Sequence, residues 1–435
     1  MAHPINIFWF RRDLRLDDNL GFYEALKGEH PVLPLFIFDT EILENLPKDD
    51  ARVTFIHETL QKMKGKLQER FNSDIALFYG RPITIFEQLV TDFHIQTVYT
   101  NHDYEPYAQM RDNEIKAALK AHDIAFKTFK DQVVFEKNDV VKADGSPYVV
   151  YTPYMKAWKA KFKSHNLKIF HTNKFLGNLV KHPQSSNLSL SDIGFTKSQQ
   201  TIAAYNTAPA LIQNYEGTRN FPAKDTTSRL GPHLRFGTVS IRKVIKKAIA
   251  EKNETFWQEL IWREFFMQIL WHFPHTVKDA FKPKYDRIQW RNNEKEFEAW
   301  CVGKTGYPLV DAGMGQLNKT GFMHNRVRML VASFLCKHLL IDWRWGEAYF
   351  AEKLHDYDMA SNVGNWQWVA GCGVDAAPYF RIFNPTTQIE KFDKNLEYIK
   401  QWVPDYQELT YPQPIVDHKF ARERCLNTYK KALND

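Results

Sequence analysis

Cysteine is scarce and scattered. The 435 residues contain four, Cys301, Cys336, Cys372 and Cys425, and no two form a CxxC pair. An iron–sulfur centre needs four converging thiolates, whereas Cys336, inside the apolar run MLVASFLCKHLL, reads as a core thiol. So few thiols fit a reduced cytoplasmic location better than secretion. No GxGxxG follows the first strand-like run, which disfavours a nicotinamide-type dinucleotide site. No uninterrupted apolar run reaches membrane-spanning length. The opening MAHPINIFWFRRDLRLDD places charge directly after a short apolar strand, unlike a signal peptide. No internal repeat is visible, and a net charge of +7 is too diffuse to demand an anionic partner, although it permits one.

Aromatic residues, by contrast, are abundant: 12 Trp, 19 Tyr and 32 Phe make 14% of the chain. Such a content suits stacking platforms or large apolar cavities as well as a packed core. The first third alternates strand-like runs (5–10, 32–38, 75–79, 97–100) with helix-like segments (51–70, 82–93, 105–123), the rhythm of a doubly wound parallel sheet. From about 130 to 200 the pattern loosens into a link, with a serine-rich polar stretch at 181–192. After 200, helical patterns take over at 238–250, 256–270 and 325–341. The expected organisation is an α/β domain over 1–130, a link over 131–200 and an all-α domain over 201–435.

Within those helical patterns, certain spacings do not belong to a core. Glu259, Trp262 and Arg263 fall at i, i+3 and i+4, placing an acid, an indole and a guanidinium on one helix face. The spacing recurs in MHNRVRML: Asn325, Arg328 and Met329 share a face, with Arg326 turned away. Asn325 and Arg328 can hydrogen-bond a planar polar ligand while Met329 fills an irregular apolar gap. The stretch 226–237, TTSRLGPHLRFG, offers hydroxyls and amides before a helix, which suits either a phosphate or an ordinary N-cap. In SNVGNWQWVAGCGVDAAPYF (361–380) two tryptophans stand among small residues with one acid, Asp375. A helix over 359–370 puts Asn362 and Trp366 on one face and Trp368 about 200° around from Trp366. The two rings are therefore expected to serve different places.

The segments RRDLRLDDN, TSRLGPHLRFG, ELIWREFF, GKTGYPLVDAGM, TGFMHNRVRM and NWQWVAGCGVDAAPYFRIFNP together resemble the photolyase/cryptochrome flavoproteins, most closely the class I cyclobutane-pyrimidine-dimer DNA photolyases. That resemblance runs along nearly the whole chain. It implies an N-terminal α/β antenna domain and a C-terminal helical domain holding FAD. It also implies light-driven repair of pyrimidine dimers in double-stranded DNA by electron transfer from reduced, anionic FAD, in a monomer that needs no metal. Position by position, Tyr215, Thr227, Ser228, Arg229 and Leu230 match the loop that grips the FAD phosphates. Arg263, Asn325, Arg328, Asp356, Asp358 and Asn362 match the remaining flavin contacts, Arg328 facing Asp356 as a buried ion pair. Glu259, Trp262, Asn325, Met329 and Trp368 match the lesion pocket, and Arg219, Arg326 and Arg381 match phosphate contacts. Trp366, Trp343 and Trp290 match the tryptophan chain that photoreduces the flavin. The family's antenna glutamate is replaced by Ala108, which argues against a folate antenna and leaves a deazaflavin, a flavin or none. The retained Glu259 and the close of the chain at 435 favour repair over a cryptochrome's signalling role, and the lone His324 reads as structural.

Overall fold

The computed structural model describes residues 3–183 and 187–434. Its contacts divide the chain into two units, one of Met1–Glu136, Phe162–Tyr205 and Arg229–Ala250, the other of Lys137–Lys161, Asn206–Ser228 and Glu251–Asp435.

The first unit is built on five parallel strands, β1 (Ile5–Phe10), β2 (Val32–Asp39), β3 (Ala76–Gly80), β4 (Ile95–Asn101) and β5 (Ala125–Phe129), in the order β3-β2-β1-β4-β5. Every residue of β1 and β2 is buried, because helices cover both faces of a parallel sheet and its inner strands become continuous apolar runs. Alternation sorts β1 between two cores. Phe8 and Phe10 join Phe22 and Leu60 on one face; Ile7 and Trp9 join Phe86 and Ile115 on the other. The covering helices are α1 (Leu20–Leu26), α2 (Ala51–Phe71), α3 (Pro82–Asp92) and α4 (Pro106–Lys120). Two elements escape the sequence pattern. The edge strand β5, AFKTF, has no buried residue and so no apolar run. The seven-residue α1 is too short to show a period, and Asn19 caps it through the Phe22 amide at 3.2 Å. The motif RRDLRLDDN proves to be a tether within this unit: Arg15 meets Asp131 at 2.5 Å, and Arg242 meets Asp18 at 3.0 Å and Asp131 at 2.8 Å.

The second unit is helical: α5 (Glu254–His272), α6 (Pro308–Thr320), α7 (Asn325–Ser333), α8 (Trp343–Lys353), α9 (Met359–Ala370) and α10 (His418–Asn434) are its principal helices. The pattern expected to run as one helix over 325–341 is α-helical only to Ser333 and then makes a π-helical turn over Phe334–His338. Two glycines let large rings seat. A Cβ on Gly346 of α8 would lie 2.1 Å from the Trp366 ring, and one on Gly364 of α9 would lie 2.2 Å from the Phe266 ring. The small residues around Trp366 and Trp368 thus make room for neighbouring aromatics.

Residues 131–200 do not form a body of their own. Residues 137–161 group with the helical unit, 162–205 with the sheet, and 229–250 return to the sheet. Local pattern reports what each segment is, not which core it joins. Part of the serine-rich stretch, residues 184–186, lies outside the described residues. Among the described residues no helix is long and apolar enough to cross a membrane, and no group of three or more His, Cys, Asp or Glu side chains could hold a metal ion. The four cysteines are all free, three of them buried.

Candidate active site

A cavity of about 380 Å³ opens within the helical unit. Glu259, Trp262 and Arg263 reach it from α5, and Asn325, Arg328 and Met329 from α7. Both triplets line it because i, i+3 and i+4 share a face. Arg326, one residue off that face, does not line it. Asp356 and Asp358 approach from the loop before α9, and Asn362, Trp366 and Trp368 from α9 itself. The two tryptophans border one cavity, not two as their angular separation suggested. The cavity spans enough of the α9 surface to meet both rings.

Part of the polar lining is pre-set by ion pairs and caps. Arg328 holds Asp356 bidentately at 3.2 and 2.9 Å, while its Nε donates to the Met323 carbonyl at 2.7 Å. This pair is part-exposed, not buried as expected, with side-chain exposures of 24% and 19%. Asp358 accepts from the Ser361 amide and N-caps α9, and His324 does the same for α7 through the Arg326 amide. Such caps satisfy amides that the helix itself leaves open. Asn362 donates Nδ2 to Glu347, at 3.1 Å to the carbonyl and 2.9 Å to Oε1. Its Oδ1 is therefore left as the acceptor.

Also in the lining, Glu259 pairs with Arg219 at 2.5 Å. Burial pushes the Glu259 carboxyl above its ordinary value, and the Arg219 charge pulls it back only in part. Arg326 donates to Asn220 Oδ1 at 2.5 Å and lies over the Phe392 ring. Burial lowers its pKa, and the charges of Arg219 and Arg381 lower it further, so both arginines sit within electrostatic reach of Arg326. Arg381 in turn lies 6.0 Å from the Trp368 ring centroid.

Trp366 is buried, edge-on to Phe350 at 5.0 Å and to Trp300 at 6.3 Å. Trp343 shares its hydrophobic cluster, and the half-buried Trp290 packs against that cluster. Neither Trp343 nor Trp290 touches the cavity.

Tyr215, Thr227, Ser228, Arg229 and Leu230 also lie off the cavity lining. Tyr215 meets Phe256 edge-on at 5.2 Å. Thr227 and Ser228 belong to the helical unit, Arg229 and Leu230 to the sheet unit. The hydroxyls do not cap the short helix Leu230–Arg235. Arg229 stands at its N-cap in the left-handed region, φ 54°, with no side-chain capping bond.

Several residues escaped the sequence reading, among them Phe266, Tyr357, Ser361 and Asn365 of the cavity lining, and two act through their contacts. Glu347, which orients Asn362, lies one helix away on α8. Tyr151, from the segment read as a link, stacks on Trp262 with ring centroids 3.5 Å apart and planes 6° apart. Partners so distant in sequence leave no spacing signal.

The model of the FAD binding domain of DNA photolyase matches residues 256–410, and that of DNA photolyase matches 6–172. The deoxyribodipyrimidine photo-lyase of Agrobacterium fabrum is 37% identical over 470 residues, covering 97% of each chain. Among solved structures, a bacterial class III photolyase from Agrobacterium tumefaciens superposes with a TM-score of 0.88 at 34% identity, over 100% of this chain and 99% of that one. A Synechocystis cryptochrome gives 0.85 at 26% identity, over 98% of this chain and 99% of that one. These likenesses do not single out class I. Full-length identity above a third, with family models matched in both units, makes this chain a member of the DNA photolyase family.

Proposed function

We propose that the protein is a deoxyribodipyrimidine photo-lyase that repairs cyclobutane pyrimidine dimers in double-stranded DNA, acting as a cytoplasmic monomer. The supporting observation is that one cavity joins a polar set, Asn325, Arg328, Asp356, Asp358 and Asn362, to an acid with stacking surfaces, Glu259, Trp262, Met329 and Trp368.

The residues present fit FAD. Thr226, beside Thr227 and Ser228, keeps its Oγ1 buried without a hydrogen-bond partner, a hydroxyl still open to an acceptor. Arg328 and Asp356 are fixed against each other, and Asn362 offers a single oriented oxygen. When bound, FAD supplies light absorption and the electron. Arg263, Asn325, Arg328, Asp356, Asp358 and Asn362 would hold it, with Tyr215, Thr227 and Ser228 offered to its phosphates. Trp262 and Trp368 give flat faces to the extruded dimer. Extrusion, a general rule for which photolyases are themselves a standing example, costs a few kcal/mol and least for damaged bases. Stacking returns roughly 1–3 kcal/mol per base. Burial raises the Glu259 pKa, and in its protonated form Glu259 would donate to a carbonyl of the dimer once Arg219 turns to phosphate. Arg219, Arg326 and Arg381 neutralise phosphates. Trp366, Trp343 and Trp290 carry electrons inward from the protein surface.

The test is repair under near-ultraviolet or blue light by reduced, anaerobic protein, using duplexes with one cyclobutane thymine dimer or one six-four photoproduct. Light-dependent loss of the cyclobutane dimer alone, slowed in Glu259→Ala and absent in the dark, is expected. No repair of either lesion by FAD-loaded protein would refute the reading and leave a cryptochrome's signalling role.

A further inference from the structure

We propose that Tyr151 is a positioning residue that sets the plane of Trp262 at the cavity wall, with Asp375 as its anchor. The proposal rests on the reading of Trp262 as a lesion-stacking surface. Trp262 is half-buried and borders the cavity, and the Tyr151 ring lies parallel to it at 3.5 Å. The other rings beside it do less to fix its plane. Phe265 meets it edge-on at 5.6 Å, and Phe266 lies at 5.6 Å tilted by 26°. An indole's second side-chain torsion has a broad profile, so a backing ring decides how steadily its free face is presented.

Tyr151 is itself held at two points. Its hydroxyl donates to the Gln258 carbonyl at 2.9 Å. By helix spacing that carbonyl is also the acceptor of the Trp262 amide, so the contact ties the tyrosine to the helical turn that carries the indole. Its backbone N–H donates to Asp375 Oδ2 at 3.2 Å. Tyr151 opens the helix Tyr151–Ser164, where amides lack intrahelical partners and an anion is favoured. Asp375 adopts φ 45°, a left-handed conformation that Asp tolerates better than most residues. This accounts for the lone acid in the small-residue stretch that follows the two tryptophans. Its carboxylate anchors the tyrosine behind Trp262.

The experiment measures dark dissociation constants of FAD-loaded, full-length protein for a duplex with one cyclobutane thymine dimer and for the matched undamaged duplex, then KM and kcat for repair in light. The variants are Tyr151→Leu, Tyr151→Phe, Asp375→Ala and Trp262→Leu. An offset or stacked aromatic pair corresponds to about 2- to 12-fold in an equilibrium constant. Tyr151→Leu is expected to weaken lesion binding by that factor and to raise KM more than it lowers kcat, leaving undamaged DNA unaffected. Tyr151→Phe, which keeps the ring, restores lesion binding, and Asp375→Ala gives a smaller loss in the same direction. Wild-type lesion affinity in Tyr151→Leu, or an equal loss on both duplexes, overturns the proposal while Trp262→Leu stays weak. If Trp262→Leu also binds the lesion normally, the lesion-wall reading fails and the proposal with it. Should Tyr151→Leu not fold, Asp375→Ala and Tyr151→Phe decide: wild-type lesion affinity in Asp375→Ala, or a loss in Tyr151→Phe as deep as in Trp262→Leu, overturns it.

Discussion

Gly346→Ala is the sharpest probe of how the helical unit holds its inner tryptophan. A methyl at this position would lie 2.1 and 2.4 Å from two Trp366 ring carbons and 2.6 Å from Leu335 Cδ2. To reach ordinary contact at 3.4 Å, the ring or α8 must move by roughly 1.3 Å. The ring has little freedom, being 2% exposed and wedged against Phe350 and Trp300. Intrinsic propensity favours alanine in a helix by about 0.8–1.0 kcal/mol, while overpacking a filled core costs about 1–3 kcal/mol. With a rigid indole in the way, the upper part of that range applies, and the net loss is about 1–2 kcal/mol. For a unit of this size that lowers the melting temperature by about 2–8 °C. Thermal unfolding followed by FAD release and by helical circular dichroism measures the shift. On the proposed relay role of Trp366, light-driven reduction of the bound flavin is expected to slow as the ring is displaced. A variant as stable as the parent, or stabilised by the helix-propensity increment alone, would refute the packing argument.

Three further outcomes follow from the same geometry. Arg328→Ala strips Asp356 of a bidentate charged partner, a change worth about 1.5–3 kcal/mol per charged hydrogen bond; the purified protein should hold markedly less FAD, read from its flavin absorbance. Burial raises the Glu347 pKa, so its stabilising contribution is complete below the unfolded value and fades as pH rises through the folded one. Glu347→Gln, which keeps an acceptor for Asn362, should show a flatter stability-versus-pH curve and be the more stable at high pH; parallel curves would remove Glu347 from this account. Arg326→Ala and Arg381→Ala should each reduce the slope of log K against log salt by about 0.9 for damaged and undamaged DNA alike, and an unchanged slope would mean that the arginine meets no phosphate.

The site was legible where function and helix period coincide. Glu259, Trp262 and Arg263, and likewise Asn325, Arg328 and Met329, announce a shared face through spacing alone, and both faces line the cavity. The Trp366 and Trp368 pair was half legible. Their angular separation is a property of the helix, but that one cavity reaches both depends on what packs around α9. Glu347 and Tyr151 were invisible, since Glu347 meets Asn362 across 15 positions and Tyr151 meets Gln258 across 107.

Sequence alone determined the parallel sheet, through strand and helix periods repeated over the first third, and the family, through long motifs in order. It also determined which residues carry acid, guanidinium or indole at a given helical face. Tertiary structure alone decided the domain membership of 137–161 and 229–250, since a segment's pattern shows that it has a face to bury but not which core receives it. It decided the edge strand β5, which carries no buried residue to mark it. It decided that Asn362 presents an oxygen and that Trp262 has a ring behind it. An amide's orientation and an indole's tilt are set by whichever distant side chain packs against them.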